Sequence, residues 1–398
     1  MGAEYMRNEL YSLWKNAKLY TPQGVINGAM MLVNPNGTIQ SVEQLELGFT
    51  SENSAQVINV SGLTLLPGFI DIHVHGGNGF NVMDADYRSI DEISRFHAAH
   101  GTTSFLATTE TASKDAITEA LTCVTRAMET GVSGAEILGV HLEGPFLNAK
   151  RRGAQNEKEI RTPSVNELEH YLEASKNLIR LVTLAPEISG GMEAVQNFYS
   201  RGVTVSAGHT DATYEQVVEA IGYGVSHTTH HFNGMSPFHH RDPGVSGAGL
   251  MLQELTTELI ADGIHVHPAT VKLLFEVKSS RNICLITDAV TCCGLPDGEY
   301  GKIRMTNGQI YLKDGNSLAG SSLTTMQALK NAIQFTGCPL EQILPSLTEV
   351  PARQIGVDHR KGTLEPGKDA DFLVIDENMH ILATYVKGIE VYRSPNFN

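Results

Sequence analysis

His73 and His75 are separated by one residue, and His141 and Glu143 by the same interval. Side chains alternate between faces along an extended strand, so each pair presents both groups to one side. His209, the pair His230–His231, His265 and Asp288 follow. Imidazole nitrogen and carboxylate oxygen are the ligand set for zinc, iron or manganese, with positions left for water. One bound divalent ion brings the pKa of its water to about 7. An aspartate beside it can take that proton and return it to a leaving group. These residue types therefore allow metal-assisted hydrolysis, with Asp288 as proton carrier. The HxH pair alone is a weak signal; Glu143, His209, His230 and Asp288 give it weight.

Short β-branched runs alternating with amphipathic segments are placed to bring such distant groups together. The runs are 64–74, 102–108, 137–142, 178–184, 203–207, 225–230, 259–264 and 283–287. Between them apolar residues recur at helical spacing, as in Ile117, Ala120, Leu121, Val124 and Met128 after the candidate N-cap Ser113. Eight such units over about 230 residues are the arithmetic of an α/β fold, a (β/α)8 TIM-like barrel. A doubly wound open sheet is the alternative, but no GxGxxG follows the first run. In a barrel the C-terminal strand ends face the active site, and imidazoles or carboxylates stand at six of these eight ends. Both chain ends read instead as short strands, with Asn27-Gly28 and Asn36-Gly37 turns in the first and a turn at Gly388 in the last. The expected organisation is a small β-sandwich domain from residues 1–60 together with 366–398, and a barrel over 61–365.

Lys plus Arg is 29 against 44 Asp plus Glu, a net charge of −15. That balance argues against nucleic acid and anionic membrane as partners, because both demand positive surface. No run approaches the roughly 18 apolar residues of a membrane span, and Met1–Asn16 is too charged for a signal peptide. The five cysteines form no CxxC spacing, which disfavours a disulfide framework or zinc ribbon; Cys292 and Cys293 read as structural. A cytoplasmic protein is expected. His97, His100, His170, His359 and His380 are expected to be solvated, and His227 to be packed within its strand. His231 should point away from His230. The basic run Lys150–Arg152 receives no role.

The stretch Pro67-Gly-Phe-Ile-Asp-Ile-His73-Val-His75-Gly76 resembles the first-strand signature of the amidohydrolase superfamily. His141-Leu-Glu143-Gly-Pro-Phe146, Ala207-Gly-His209-Thr210, His230-His-Phe-Asn233-Gly234-Met235, Ala261-Asp-Gly-Ile-His265, Thr287-Asp288-Ala289 and Leu318-Ala-Gly-Ser-Ser322 narrow the resemblance. Together they are similar to the family of N-acetylglucosamine-6-phosphate deacetylases, over nearly the whole chain and in the same order. The resemblance implies hydrolysis of an acetamide on a phosphosugar, in amino-sugar catabolism and cell-wall sugar recycling. It implies a first ion on Glu143, His209 and His230, and a second on His73 and His75 bridged through Glu143. One or two divalent ions per subunit, zinc or iron, would serve Asp288 as general base and then general acid. Asn233, Gly234, Arg241, His265, Ala154, Gln155 and Leu318 would contact substrate. Arg241 would reach the phosphate from the neighbouring subunit of a homodimer. Gln155 stands where many relatives carry a carbonyl-binding histidine, which puts that role in question. Two rivals are another barrel amidohydrolase acting on a cyclic amide or aminated base, and an inactive barrel serving as a scaffold.

Overall fold

The computed structural model describes residues 10–44, 55–315, 317–395 and 397. Most of the Met1–Asn16 segment lies outside the described residues. Eight parallel strands form the central sheet: Phe69–Val74, Thr102–Thr108, Glu136–Glu143, Ile179–Leu184, Thr204–Ala207, Val225–Thr228, Thr256–Leu259 and Ile283–Leu285. Each pairs with the next in chain order. The two edges meet through a parallel bridge between Val74 and Ala289. There Asp288 N–H donates to the His73 carbonyl at 3.0 Å, and His75 N–H to that of Ala289 at 2.9 Å. The barrel thus closes at the level of the candidate catalytic residues.

Helices cover the outside with the apolar stripes their spacing requires. Lys114–Thr130 buries Ile117, Ala120, Leu121 and Val124. Its N-cap is Ser113, whose Oγ accepts from Ala116 N at 3.2 Å, a contact worth about 1 kcal/mol. Among the described residues no helix is long and apolar enough to cross a membrane.

Four expectations need correction. The run 64–74 is two strands, split at Gly68. Thr64–Pro67 belongs to the terminal sheet and Phe69–Val74 to the barrel. A Cβ at Gly68 would sit 2.2 Å from Thr103 Oγ1, so the chain passes from one sheet to the other where only hydrogen fits. The sixth strand ends at Thr228 rather than His230. The seventh is Thr256–Leu259 rather than 259–264. Asp262 Oδ1 accepts from both Ile264 N and His265 N at 2.8 Å, and this turn claims the residues that apolarity alone gave to the strand. Finally, His97 is not solvated. It shares a face with Ile90 and Ile93 on helix Tyr87–Ala99 and is fully buried, its Nε2 3.0 Å from the Gly76 carbonyl. Burial pushes it down to about 4, so it packs as a neutral ring.

The terminal strands form their own eight-stranded sheet, in which Tyr11–Thr21, Gly24–Val33 and Ile39–Gln44 join Thr64–Pro67, Phe372–Ile375, Ile381–Val386 and Ile389–Arg393. Ala55–Asn59 pairs with the first half of Tyr11–Thr21. Trp14 and Tyr385 lie three strands apart along this path, which in a flat sheet is about 14 Å. Their ring centroids are 4.9 Å apart. The sheet therefore folds over itself as a small sandwich, with Trp14 wedged against Phe372 and Tyr385. A further antiparallel unit, Gly298–Tyr300, Ile303–Thr306 and Gln309–Leu312, follows the eighth barrel strand and was not anticipated.

Candidate active site

A cavity of about 660 Å³ opens where the barrel strands end. Its wall includes His75, Glu143, His209, His230 and Asp288, while His73 lies fully buried beside them. His209, His230 and Asp288 have φ of 49°, 29° and 51°. Left-handed backbone at non-glycine residues costs about 1–3 kcal/mol each and persists only where surroundings over-determine it. Here each residue sits just past a strand end, and the sharp turn throws its side chain across the mouth.

The first group is Glu143, His209 and His230. His209 Nδ1 lies 3.0 Å from the Arg151 carbonyl, and His230 Nδ1 lies 3.1 Å from that of Asn233. A carbonyl only accepts, so both Nδ1 atoms carry protons, and the lone pair that each ring can offer to an ion is the one on Nε2. Those two Nε2 atoms face each other at 3.0 Å. Glu143 Oε1 stands 3.3 Å from each and has no hydrogen-bond donor among the described residues. Three atoms that can each offer a lone pair converge. That arrangement suits a cation, and the N2O donor set suits zinc or iron.

The second group is His73, His75 and Asp288. His73 Nδ1 donates to Glu258 Oε2 at 2.9 Å, and its Nε2 faces His75 Nε2 at 3.2 Å and Asp288 Oδ1 at 3.6 Å. His75 Nε2 lies 3.3 Å from both Glu143 Oε2 and Asp288 Oδ1. Glu143 thus offers one oxygen to each group. Burial lowers His75, but hydrogen bonds to Asp288 and Glu143 outweigh it and hold the ring up to about 9. Burial raises Asp288, but His73 and His75 hold it below its ordinary value, so it is ionised. A third group, Glu136, Asp369 and Asp371, already contains its cation: the buried Lys361 ammonium pairs with all three.

Around the donors, Ala154, Gln155, Asn233, Gly234, His265 and Leu318 all line the cavity. Gly234 has φ 59°, and a Cβ there would come within 3.0 Å of His209 Nδ1, so glycine lets the chain pass close to that ring. Gln155 is held at both ends of its amide. Thr111 N–H donates to Oε1 at 2.8 Å, and Nε2 donates to Glu143 Oε2 at 2.6 Å. His265 Nδ1 lies 2.6 Å from Asp262 Oδ2. Arg241 is not brought to the cavity of its own chain. It is exposed, with Nη1 2.7 Å from His240 Nε2.

The basic run lies at the surface, paired with its acidic neighbours. Lys150 and Arg151 pair with Asp211 and Arg152 with Glu157, so the loop carrying the Arg151 carbonyl is pinned beneath His209. His231 turns away, toward Thr228 Oγ1 and the Ser246 carbonyl. Supporting residues to which sequence reasoning gave no role are Asp71, His141 and Glu258. Thr287 Oγ1 donates to Asp71 Oδ2 at 2.6 Å, tying the first strand to the eighth. His141 Nε2 meets Thr183 Oγ1 at 2.7 Å and packs on His73, ring centroids 4.5 Å apart. The available signal for Glu258 was a lone carboxylate in the run Thr256-Thr-Glu-Leu-Ile-Ala261.

With this geometry in view, comparison with known proteins places the chain among relatives. The model of the "Amidohydrolase family" matches residues 64–391. An N-acetylglucosamine-6-phosphate deacetylase of Vibrio furnissii is 39% identical over 387 residues, 95% of this chain and 96% of that protein. One of Bacillus subtilis is 39% identical over 94% of this chain and 96% of its own length. The crystal structure of N-acetylglucosamine-6-phosphate deacetylase from Pasteurella multocida superposes with a TM-score of 0.89 at 31% identity. That match covers 96% of this chain and all of the other.

Proposed function

The chain belongs to the amidohydrolase family and, within it, to the N-acetylglucosamine-6-phosphate deacetylases, and from that premise we propose that it hydrolyses the acetamide of N-acetyl-D-glucosamine 6-phosphate. The products are D-glucosamine 6-phosphate and acetate, formed in the cytoplasm during amino-sugar catabolism and cell-wall sugar recycling. The observation that carries this reading is the convergence of the His209 and His230 Nε2 atoms on Glu143 Oε1.

Glu143, His209 and His230 would hold one divalent ion, zinc or iron, whose chemistry when bound is to make hydroxide available near neutral pH and to polarise a carbonyl. His73, His75 and Asp288, sharing Glu143, would hold a second. Asp288 begins ionised and takes a proton from the attacking water. It gives that proton to the nitrogen as the C–N bond breaks, because an amine leaves poorly as an anion. Ala154, Gln155 and Leu318 form the wall around the acetyl group. One N–H of Gln155 is held by Glu143, so only the other remains for an acetyl oxygen. Asn233 and Gly234 meet the sugar, and His265 meets the phosphate. Arg241, exposed and outside the lining of its own cavity, serves the phosphate in the neighbouring subunit of a homodimer. A guanidinium fork matches phosphate geometry and keeps its charge.

Rates on N-acetylglucosamine 6-phosphate and on unphosphorylated N-acetylglucosamine, with elemental analysis of the same sample, test the reading. The phosphorylated sugar should be favoured by at least about 10-fold, the effect of losing one charged hydrogen bond. Equal rates would remove the phosphate argument. A second expectation concerns the HxH pair. His73→Gln with His75→Gln should lower metal content toward one ion per chain and leave measurable turnover, because the Glu143–His209–His230 group is intact.

A further inference from the structure

We propose that Glu258 is the positioning residue that couples the two ion positions, holding the His73 ring and the His230 backbone on a single carboxylate oxygen. The inference rests on the reading of the two donor groups as ion sites. Glu258 lies in the strand Thr256–Leu259 and is fully buried. Its Oε2 accepts from His73 Nδ1 at 2.9 Å and from the backbone N–H of His230 at 2.9 Å. Its own carbonyl accepts from His231 N at 2.8 Å.

Two consequences follow from those bonds. The His73 proton must sit on Nδ1, so the lone pair on Nε2 faces the cavity. The turn at His230, with φ 29°, is held by Glu258 through both side chain and backbone. One residue therefore sets the tautomer of a ligand in one group and the backbone of a ligand in the other. A carboxylate behind a ligating imidazole also raises its basicity, and removing such a partner typically weakens metal binding about 10- to 100-fold.

Oε1 makes no hydrogen bond among the described residues. It lies 3.3 Å from His227 Nε2, and His227 Nδ1 lies 3.1 Å from Gln354 Oε1. Gln354 Nε2 in turn donates to Thr256 Oγ1 at 2.8 Å. A glutamine at 258 could keep this geometry. Its amide oxygen would take the two bonds of Oε2, and its NH2 would face His227 Nε2. Glu258→Gln thus removes charge while preserving shape, whereas Glu258→Leu removes both.

The test is ion binding by titration into stripped full-length protein, alongside 15N NMR of the His73 ring before any metal is added. Wild type should show the proton on Nδ1 of His73 and take up two ions. Glu258→Gln should keep that tautomer and bind the second ion about 10-fold more weakly. Glu258→Leu should lose the tautomer preference and weaken the second ion by about 100-fold, with the first weakened as well. A Glu258→Gln protein that binds both ions like wild type, or a wild-type His73 with no proton on Nδ1, overturns the proposal. If Glu258→Leu does not fold, Glu258→Gln and the wild-type tautomer decide alone. Wild type that takes up no ion defeats the metal reading itself, and the proposal with it.

Discussion

Asp288→Asn should retain the ion of the Glu143–His209–His230 group and lose about 10⁴-fold in kcat, the upper end of what one acid–base group contributes. Asparagine preserves the shape of the side chain but cannot take up a proton and pass it on. Both halves of the reaction fail together, since the same carboxylate serves the water and then the departing nitrogen. Asp288 Oδ1 also lies 3.3 Å from His75 Nε2 and 3.6 Å from His73 Nε2, so the second ion should weaken. Steady-state rates with metal analysis of the same protein check both parts. A fully active Asp288→Asn enzyme would remove Asp288 from the chemistry.

Glu143→Gln should be more damaging still, because Glu143 turns a carboxylate oxygen toward each donor group. Oε1 sits among the His209, His230 and His73 Nε2 atoms, and Oε2 faces His75. Burial opposes its charge, yet His73, with the His209 and His230 rings close by, holds it well below the usual carboxylate range. The amide brings an N–H donor into one side of this cluster and removes the negative charge that offsets a dication. Metal content should fall below one ion per chain, and kcat/KM by more than the roughly 10⁴-fold that one acid–base group contributes. Elemental analysis separates this result from that of Asp288→Asn, where one ion stays. If Glu143→Gln keeps two tightly bound ions, Glu143 is no ligand.

Much of this site could be read before any coordinates. Strand alternation placed His73 with His75 and His141 with Glu143, and the barrel pattern put their strand ends at one mouth; the structure brings both about. His141 shows the limit of that reasoning. It shares a face with Glu143 but lies one layer deeper, spent on Thr183 and the His73 ring. His97 shows the opposite error, because its polarity suggested solvent while its helical position next to Ile93 demanded burial. Glu258 was missed when the seventh strand was drawn from apolarity, and Gly68 when one β-branched run hid a change of sheet.

From the sequence alone came the ligand types, their order and the faces they share, because strand and helix periods are local properties of the chain. Only the tertiary structure decided which imidazole nitrogens can serve an ion, since that depends on carbonyls and a carboxylate from other turns of the fold. It alone placed His209, His230 and Asp288 in left-handed turns. It alone committed one Gln155 N–H to Glu143, and left Arg241 outside its own cavity. Spacing along a chain carries none of these facts, because each is a contact between residues that meet only once the barrel has closed.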